Sequence, residues 1–347
     1  MGYGLLQYLF ERVKRRMFCV RDEVLNALHG MHRLSFALNR TFVRFGFMHR
    51  LRRVRAPYRR RVPSERTVLQ VPELPEVESV RRDVARLVGA RFVAGSSSSY
   101  PRFAGAAAAR GELRDVSRLG KWLILTLHGQ SEEETGPIWD LVIHLGMSGR
   151  LEIDDVPRVG THVHAQWELK LGDGVVWLSL TDPRRFGRAA LVPSGEYVSL
   201  PGLYSLGPDA LEVAELGKVL LDTRTSRRSV KAVLLDQRCV AGVGNIYCDE
   251  ALFGARINPS RAMTSLSVEE CAALAEEVTR VLRLSIESGG TTLRDYRRLD
   301  GTSGSNATNL LCYGRAGNSC VRCSSTLVSA VVAQRSTTWC PTCQLAM

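Results

Sequence analysis

Residues 71–78 read VPELPEVE, and this short acidic stretch decides how the chain is divided. Everything before it is strongly basic. Residues 1–70 hold sixteen Lys/Arg against four Asp/Glu, whereas residues 71–347 hold 31 of each. The formal net charge of +12 therefore sits entirely in the leader. Immediately after Glu76 a helical period begins, with Val77, Val80, Val84, Leu87 and Val88 on one face. Pro75 suits the first turn of that helix, Glu76 and Glu78 suit its dipole, and Gly89 ends it.

Downstream the period changes to two. KWLILTLHG, IWDLVIHLG and HAQWELKLGDGVVWLSL alternate and are punctuated by Gly and Asp, and GDG at 172–174 marks a hairpin. A helix followed by a β-sandwich or barrel is expected here. From about Gly207 the helical period returns. SVKAVLLDQ and NIYCDEALFGA read as two short helices separated by the glycine turn RCVAGVG. A long amphipathic helix follows, opened by a capping box of Ser267 and Glu270 and closed by Gly289–Gly290. DGTSGSN then reads as a polar, glycine-rich, mobile loop.

The strongest chemical signal is at the C-terminus. Cys320-x2-Cys323 and Cys340-x2-Cys343 are separated by sixteen residues, the spacing of a four-thiolate structural zinc site. The intervening stretch alternates as a β-hairpin, with Gln334, Arg335 and Ser336 near its turn or second strand. One Zn2+ held by protein on all four sides would hold structure and perform no chemistry. The scattered remaining cysteines fit a reducing compartment better than a disulfide framework. No run reaches eighteen apolar residues, so no membrane span is expected.

With these motifs in hand, the chain resembles the formamidopyrimidine-DNA glycosylase and endonuclease VIII family of base-excision repair enzymes. PELPEVE at 72–78, GKWL at 120–123, HLGMSGRL at 144–151, DPRRFG at 182–187 and LGPDAL at 206–211 occur in the family's order. KAVLLDQRCVAGVGNIYCDEALF at 231–253, GGTTLRDY at 289–296 and the cysteine pairs complete the set. PELPEVE, HLGMSG and DPRRFG resemble the branch that removes oxidised purines. One departure is DGTSGSNATNLL, where relatives commonly carry an aromatic residue in the loop that closes over the flipped base.

The resemblance implies an α+β protein: a basic leader over 1–71, an N-terminal helix plus β-sandwich catalytic domain over 72–205, a helix–two-turn–helix domain over 206–310 and a β-hairpin zinc finger over 311–347. It implies a bifunctional glycosylase and lyase acting as a monomer on damaged double-stranded DNA, away from membranes. The compartment is then the cytoplasm, unless the leader targets an organelle. The implied catalytic set is Pro72, Glu73, Lys121 and Arg335. Pro72 would attack the sugar through its amine, and Glu73 would move a proton to or from the ring oxygen. The implied DNA-binding set is His162, Arg184, Met147, Phe186, Lys231 and Asn245, with backbone contact also expected of His144. Met147 and Phe186 would fill the gap left by the flipped base and Arg184 would bond the orphaned cytosine. Phosphate contacts are expected of Lys121, Lys231, Asn245 and Arg335. Glu76 and Glu250 would support the site, although a solvated helix glutamate is the alternative for Glu250.

An internal proline nitrogen is an amide and offers no nucleophile, so Pro72 must be a free N-terminus for this chemistry. Either Val71 marks the true start of translation, or the leader is removed. An intact leader would point instead to a non-catalytic DNA-binding protein. An endonuclease VIII-like preference for oxidised pyrimidines and a purely structural zinc ribbon are the other readings.

Overall fold

The computed structural model describes residues 71–129, 136–292 and 296–345; the leader expectations lie outside the described residues. Helix α1 (Leu74–Val84) opens the described chain. Its cap is a box in which the Glu73 N–H donates to Glu76 Oε2 at 2.9 Å. The helix straddles two cores. Leu74 packs among the C-terminal helices, whereas Val77, Val80 and Val84 pack against the sheet. Each such burial contributes roughly 1.5–3 kcal/mol, so α1 fastens the two halves together.

Eight strands follow: β1 (Arg91–Ser97), β2 (Gly111–Leu119), β3 (Trp122–His128), β4 (Ile138–His144), β5 (Arg150–Asp154), β6 (Val163–Leu171), β7 (Gly174–Thr181) and β8 (Arg188–Pro193). They form one antiparallel sheet in the order β5-β7-β6-β1-β2-β3-β4-β8. The expected sandwich is thus a single continuous sheet folded over. Leu151 and Leu180 from one end share a cluster with Leu141, Ile143 and Ala189 from the other. The alternation that predicted strands is the alternation that supplies this inner face. GDG makes the expected tight turn, with Leu171 paired to Gly174 and Gly172 at φ 59°.

The second half is helical: α2 (Pro201–Tyr204), α3 (Val213–Asp222), α4 (Val230–Leu235), α5 (Asn245–Gly254) and α6 (Val268–Glu287). The Ser267–Glu270 capping box is present, with Glu270 N–H donating to Ser267 Oγ at 3.1 Å and Ser267 N–H to Glu270 Oε2 at 2.8 Å. Ile246 to Phe253 of α5 are all buried, which makes it the central helix of its domain. The expected loop DGTSGSN carries no helix or strand over 300–304, and the chain on either side of it is anchored. Thr291 bridges to Ser305, Asn306–Asn309 forms a 3-10 turn, and Tyr296 and Leu299 return to the sheet core. Strands β9 (Val328–Val332) and β10 (Arg335–Trp339) make the C-terminal hairpin. Its two turn residues, Ala333 and Gln334, both adopt positive φ (49° and 59°), the turn geometry that matches strand twist.

Candidate functional site

Val71 is half-buried, and Pro72 to Val80 are all buried. Leu74 N–H donates to Gly242 O at 3.2 Å, which lays the Pro72–Leu74 segment along the glycine turn between α4 and α5. The turn must be glycine there. A Cβ on Gly244 would sit 2.2 Å from Glu73 Cδ, and one on Gly242 2.4 Å from Leu74 Cδ1. This close approach puts the Glu73 carboxylate on the N-terminus of α5. Ile246 N–H donates to Oε1 at 2.9 Å and Tyr247 N–H to Oε2 at 3.4 Å. Helix N-termini favour anions, yet burial dominates and raises the Glu73 pKa; Lys121 and the α5 amides oppose that rise.

Glu76 lies one turn further along α1. Tyr247 Oη donates to its Oε1 at 2.6 Å, and Thr291 N–H donates to the same oxygen at 2.7 Å. Burial first and the neighbouring Glu73 second push its pKa up to about 7. Two adjacent carboxyl groups with raised affinity for protons, one beside Pro72, are suited to acid–base chemistry near neutral pH.

Lys121 follows Gly120 in the β2–β3 turn and reaches the same place. Burial lowers its pKa, while Glu73 and then Glu76 pull it back up. The turn itself is pinned, since Gly120 N–H donates to Asp209 Oδ2 at 3.1 Å and Arg118 bonds both Gly120 O and Asp209. Arg335 stands exposed at the start of β10, near enough to Lys121 to lower its pKa. Asn245 opens α5, and its Nδ2 donates to Ser336 O at 2.9 Å, so the helix holds the hairpin that carries Arg335. The residues expected from the sequence to be catalytic, Pro72, Glu73, Lys121 and Arg335, therefore gather in one place, with Glu76 and Asn245 beside them. His144 ends β4 against Trp122, and its Nδ1 accepts the Gly146 N–H at 3.1 Å. Burial, then Lys121, holds its pKa down at about 4. With Nδ1 accepting, a neutral ring carries its proton on Nε2. His162 is exposed just ahead of β6.

Met147, Arg184 and Phe186 come together on two loops fastened by one buried side chain, Asp182. Its Oδ1 takes the Ser148 hydroxyl and the Arg184 N–H at 3.3 Å, and its Oδ2 takes the Gly187 N–H at 2.7 Å. Gly146, at φ 66°, packs against Phe186 and Gly187 so closely that a Cβ would lie 2.5 Å from the Gly187 nitrogen. Arg184 and Phe186 are exposed, with the guanidinium 5.2 Å from the ring centroid, and Met147 is half-buried. The sequence reading missed Asp182 as a fastener. Its signal was an aspartate directly before a proline turn, a residue type that captures nearby backbone N–H groups.

Lys231 is a correction. The sequence assigns it to a phosphate, but its side chain is fully buried on α4 and ion-paired to Asp249 of α5. A buried ammonium in a salt bridge is not free to meet DNA. Lysine on a short helix of a DNA-binding fold reads as exposed, and nothing local distinguishes it. Glu250 is the opposite case. It is buried and accepts the N–H groups of Leu311, Cys312 and Tyr313 at 2.7–2.9 Å, which ties the approach to the finger onto α5.

The sulfurs of Cys320, Cys323, Cys340 and Cys343 all lie within 4.8 Å of one another. Cys320 to Cys343 is 3.9 Å and Cys323 to Cys340 is 3.5 Å. A tetrahedral ion with metal–sulfur distances of about 2.3 Å needs edges of about 3.8 Å, so the donor set fits a structural metal. Arg322 and Cys343 N–H groups donate to Cys320 and Cys340 sulfur at 3.4 Å, which would stabilise thiolates.

Comparison with known proteins agrees with this geometry. The formamidopyrimidine-DNA glycosylase N-terminal domain matches residues 71–189, the formamidopyrimidine-DNA glycosylase H2TH domain matches 206–297, and the zinc finger found in FPG and IleRS matches 317–346. The formamidopyrimidine-DNA glycosylase of Desulfitobacterium hafniense is 39% identical over 290 residues, covering 79% of this chain and all of the relative. The crystal structure of the MutM (Fpg) protein from Thermus thermophilus superposes with a TM-score of 0.68 at 39% identity, over 79% of this chain and 98% of that one. A variant of the Lactococcus lactis Fpg in complex with Fapy-dG-containing DNA superposes with a TM-score of 0.67 at 31% identity, over 79% and 100% of the two chains. The chain therefore belongs to the formamidopyrimidine-DNA glycosylase family of DNA-repair enzymes.

Proposed function

We propose that the protein removes oxidised purines, 8-oxoguanine and formamidopyrimidines, from duplex DNA and then cuts the strand as an AP lyase, working as a monomer with one structural zinc ion. The observation that carries this is the buried Pro72–Glu73 segment lying on the α5 N-terminus opposite Lys121. The Pro72 nitrogen attacks the sugar C1′, the C1′–base bond breaks, and the base leaves with a proton. Protonation of the ring oxygen opens the sugar and leaves an iminium on Pro72; Glu73 carries that proton. β- and δ-elimination then release the 3′ and 5′ phosphates. Lys121 and Arg335 hold flanking phosphates, and the face made by Met147, Arg184 and Phe186 fills the space opposite the orphaned cytosine. His162 and Asn245 contact the backbone further out. The Lactococcus lactis relative bound to Fapy-dG-containing DNA supports the oxidised-purine substrate class.

Within residues 1–347 the Pro72 nitrogen is acylated by Val71 and cannot form this intermediate. A free α-amino group titrates at about 7.7–8.0 and is partly unprotonated at neutral pH. Two forms of the protein therefore differ. A chain beginning at Pro72, after trimming of a single methionine, is trapped on 8-oxoguanine DNA by borohydride, which reduces the iminium. The chain with residues 1–71 attached binds the lesion and is not trapped. Full trapping by a form shown by mass spectrometry to be unprocessed would overturn the assignment and direct attention to Lys121.

A further inference from the structure

Helices α4 and α5 bury a salt bridge that the chemistry at Pro72 does not use. The Lys231 and Asp249 side chains are both 0% exposed. Removing two charges from water costs several kcal/mol each, and an apolar pair of similar size is often as stable or more so. Stability alone does not explain the pair. Its other contact does.

Asp249 Oδ2 accepts the N–H of Thr338 at 2.9 Å, and Thr338 lies on β10, three residues after Arg335. One helical turn earlier, Asn245 binds Ser336 O. Four residues along a helix rise about 6 Å and two along a strand about 6.6 Å, so the two contacts are in step. They lock the register of β10 against α5. The N-terminus of that same helix holds the Glu73 carboxylate. Helix α5 thus places the proton carrier at one end and the Arg335 hairpin along its side.

We propose that the buried Lys231–Asp249 pair is a positioning device that clamps the hairpin through Thr338 and so sets Arg335 relative to Glu73 and Lys121. Lys231 holds one carboxylate oxygen and leaves the other aimed at the Thr338 amide. The inference rests on the reading of Arg335 as a phosphate contact.

The test uses the full, metal-loaded chain and the paired variant Lys231→Met/Asp249→Leu. Its probes are a duplex carrying a tetrahydrofuran abasic analogue and the matching undamaged duplex. Metal content stays at one ion per chain. Hydrogen exchange at the Thr338 amide speeds up, and affinity for the abasic duplex falls roughly tenfold. Arg335→Ala weakens binding by the unaltered chain, yet adds little to the paired variant, because residues acting through one geometry are not additive. Unchanged exchange at Thr338 overturns the proposal, as does an equal loss from Arg335→Ala in both backgrounds. A chain that fails to prefer the abasic duplex at all would sink the reading of Arg335, while the Thr338 exchange would still decide whether the pair clamps the hairpin. Should the paired variant fail to fold, Lys231→Gln/Asp249→Ser, whose serine is too short to reach the Thr338 amide, carries the same two readouts.

Discussion

Asp182 and the Glu73–Glu76 pair are built from the same parts and do different work. Each is a buried carboxylate group that collects N–H and O–H donors from distant chain segments. Asp182 gathers donors from the two loops that carry Met147, Arg184 and Phe186, and no second acid is bonded beside it among the described residues. It fastens those loops. Glu73 and Glu76 stand next to one another, and burial first and the Glu73 charge second push Glu76 up to about 7. A buried carboxylate surrounded by donors is a structural clamp; two sharing one site beside Pro72 are the groups proposed above to carry protons.

Glu73→Gln in the form that begins at Pro72 is the strongest way to break this contrast. The amide oxygen can still accept from Ile246, so melting should barely change. Loss of the proton carrier should lower single-turnover excision by roughly 10²–10⁴-fold, the usual contribution of general acid–base catalysis. An excision rate within a few-fold of the parent would reduce Glu73 to a helix cap.

Asp182→Ala tests the other side. It leaves the Arg184 and Gly187 amides and the Ser148 hydroxyl without their acceptor, and should lower stability by roughly 3 kcal/mol in denaturant titrations. Discrimination for cytosine opposite the lesion should weaken, because Arg184 loses its fixed backbone, while excision from a cytosine pair should fall less than in Glu73→Gln. If a folded Asp182→Ala protein lost excision as steeply as Glu73→Gln, the division between clamp and proton carrier would not stand.

The mildest effect concerns pH. A carboxyl whose pKa is raised on folding binds its proton more tightly in the native state. Its contribution to stability is complete below the ordinary glutamate value of 4.5 and is lost as pH rises through about 7. Melting temperature should therefore decline on this group's account between those two values, and Glu76→Gln should flatten the decline. An identical slope in parent and variant would place the titration elsewhere.

Much of this is legible in the chain itself. The start of α1 at PELPEVE, the GDG hairpin, the Ser267–Glu270 cap and the paired cysteines each follow from rules that span a few residues. The motif order points to the family and to Pro72, Glu73, Lys121 and Arg335. The glycine-rich stretch after α6 reads as a loop and is one over 300–304, but composition gives no sign of its anchors: Thr291 bonds Glu76, and Asn306 bonds Thr291.

What the sequence determined by itself is the set of local structures and the identity of the reactive groups, because caps, periods and ligand spacings are short-range. Only the tertiary structure decided which of those groups gather around Glu73 and which are sealed inside. Lys121 and Lys231 look alike in the sequence, each a lysine entering a regular element. One ends beside Glu73, and the other is sealed against Asp249. Glu73 itself gains its environment from amides 173 and 174 residues away. Burial and the choice of partner follow from how distant segments pack, and those terms set desolvation and charge coupling, which no local pattern contains.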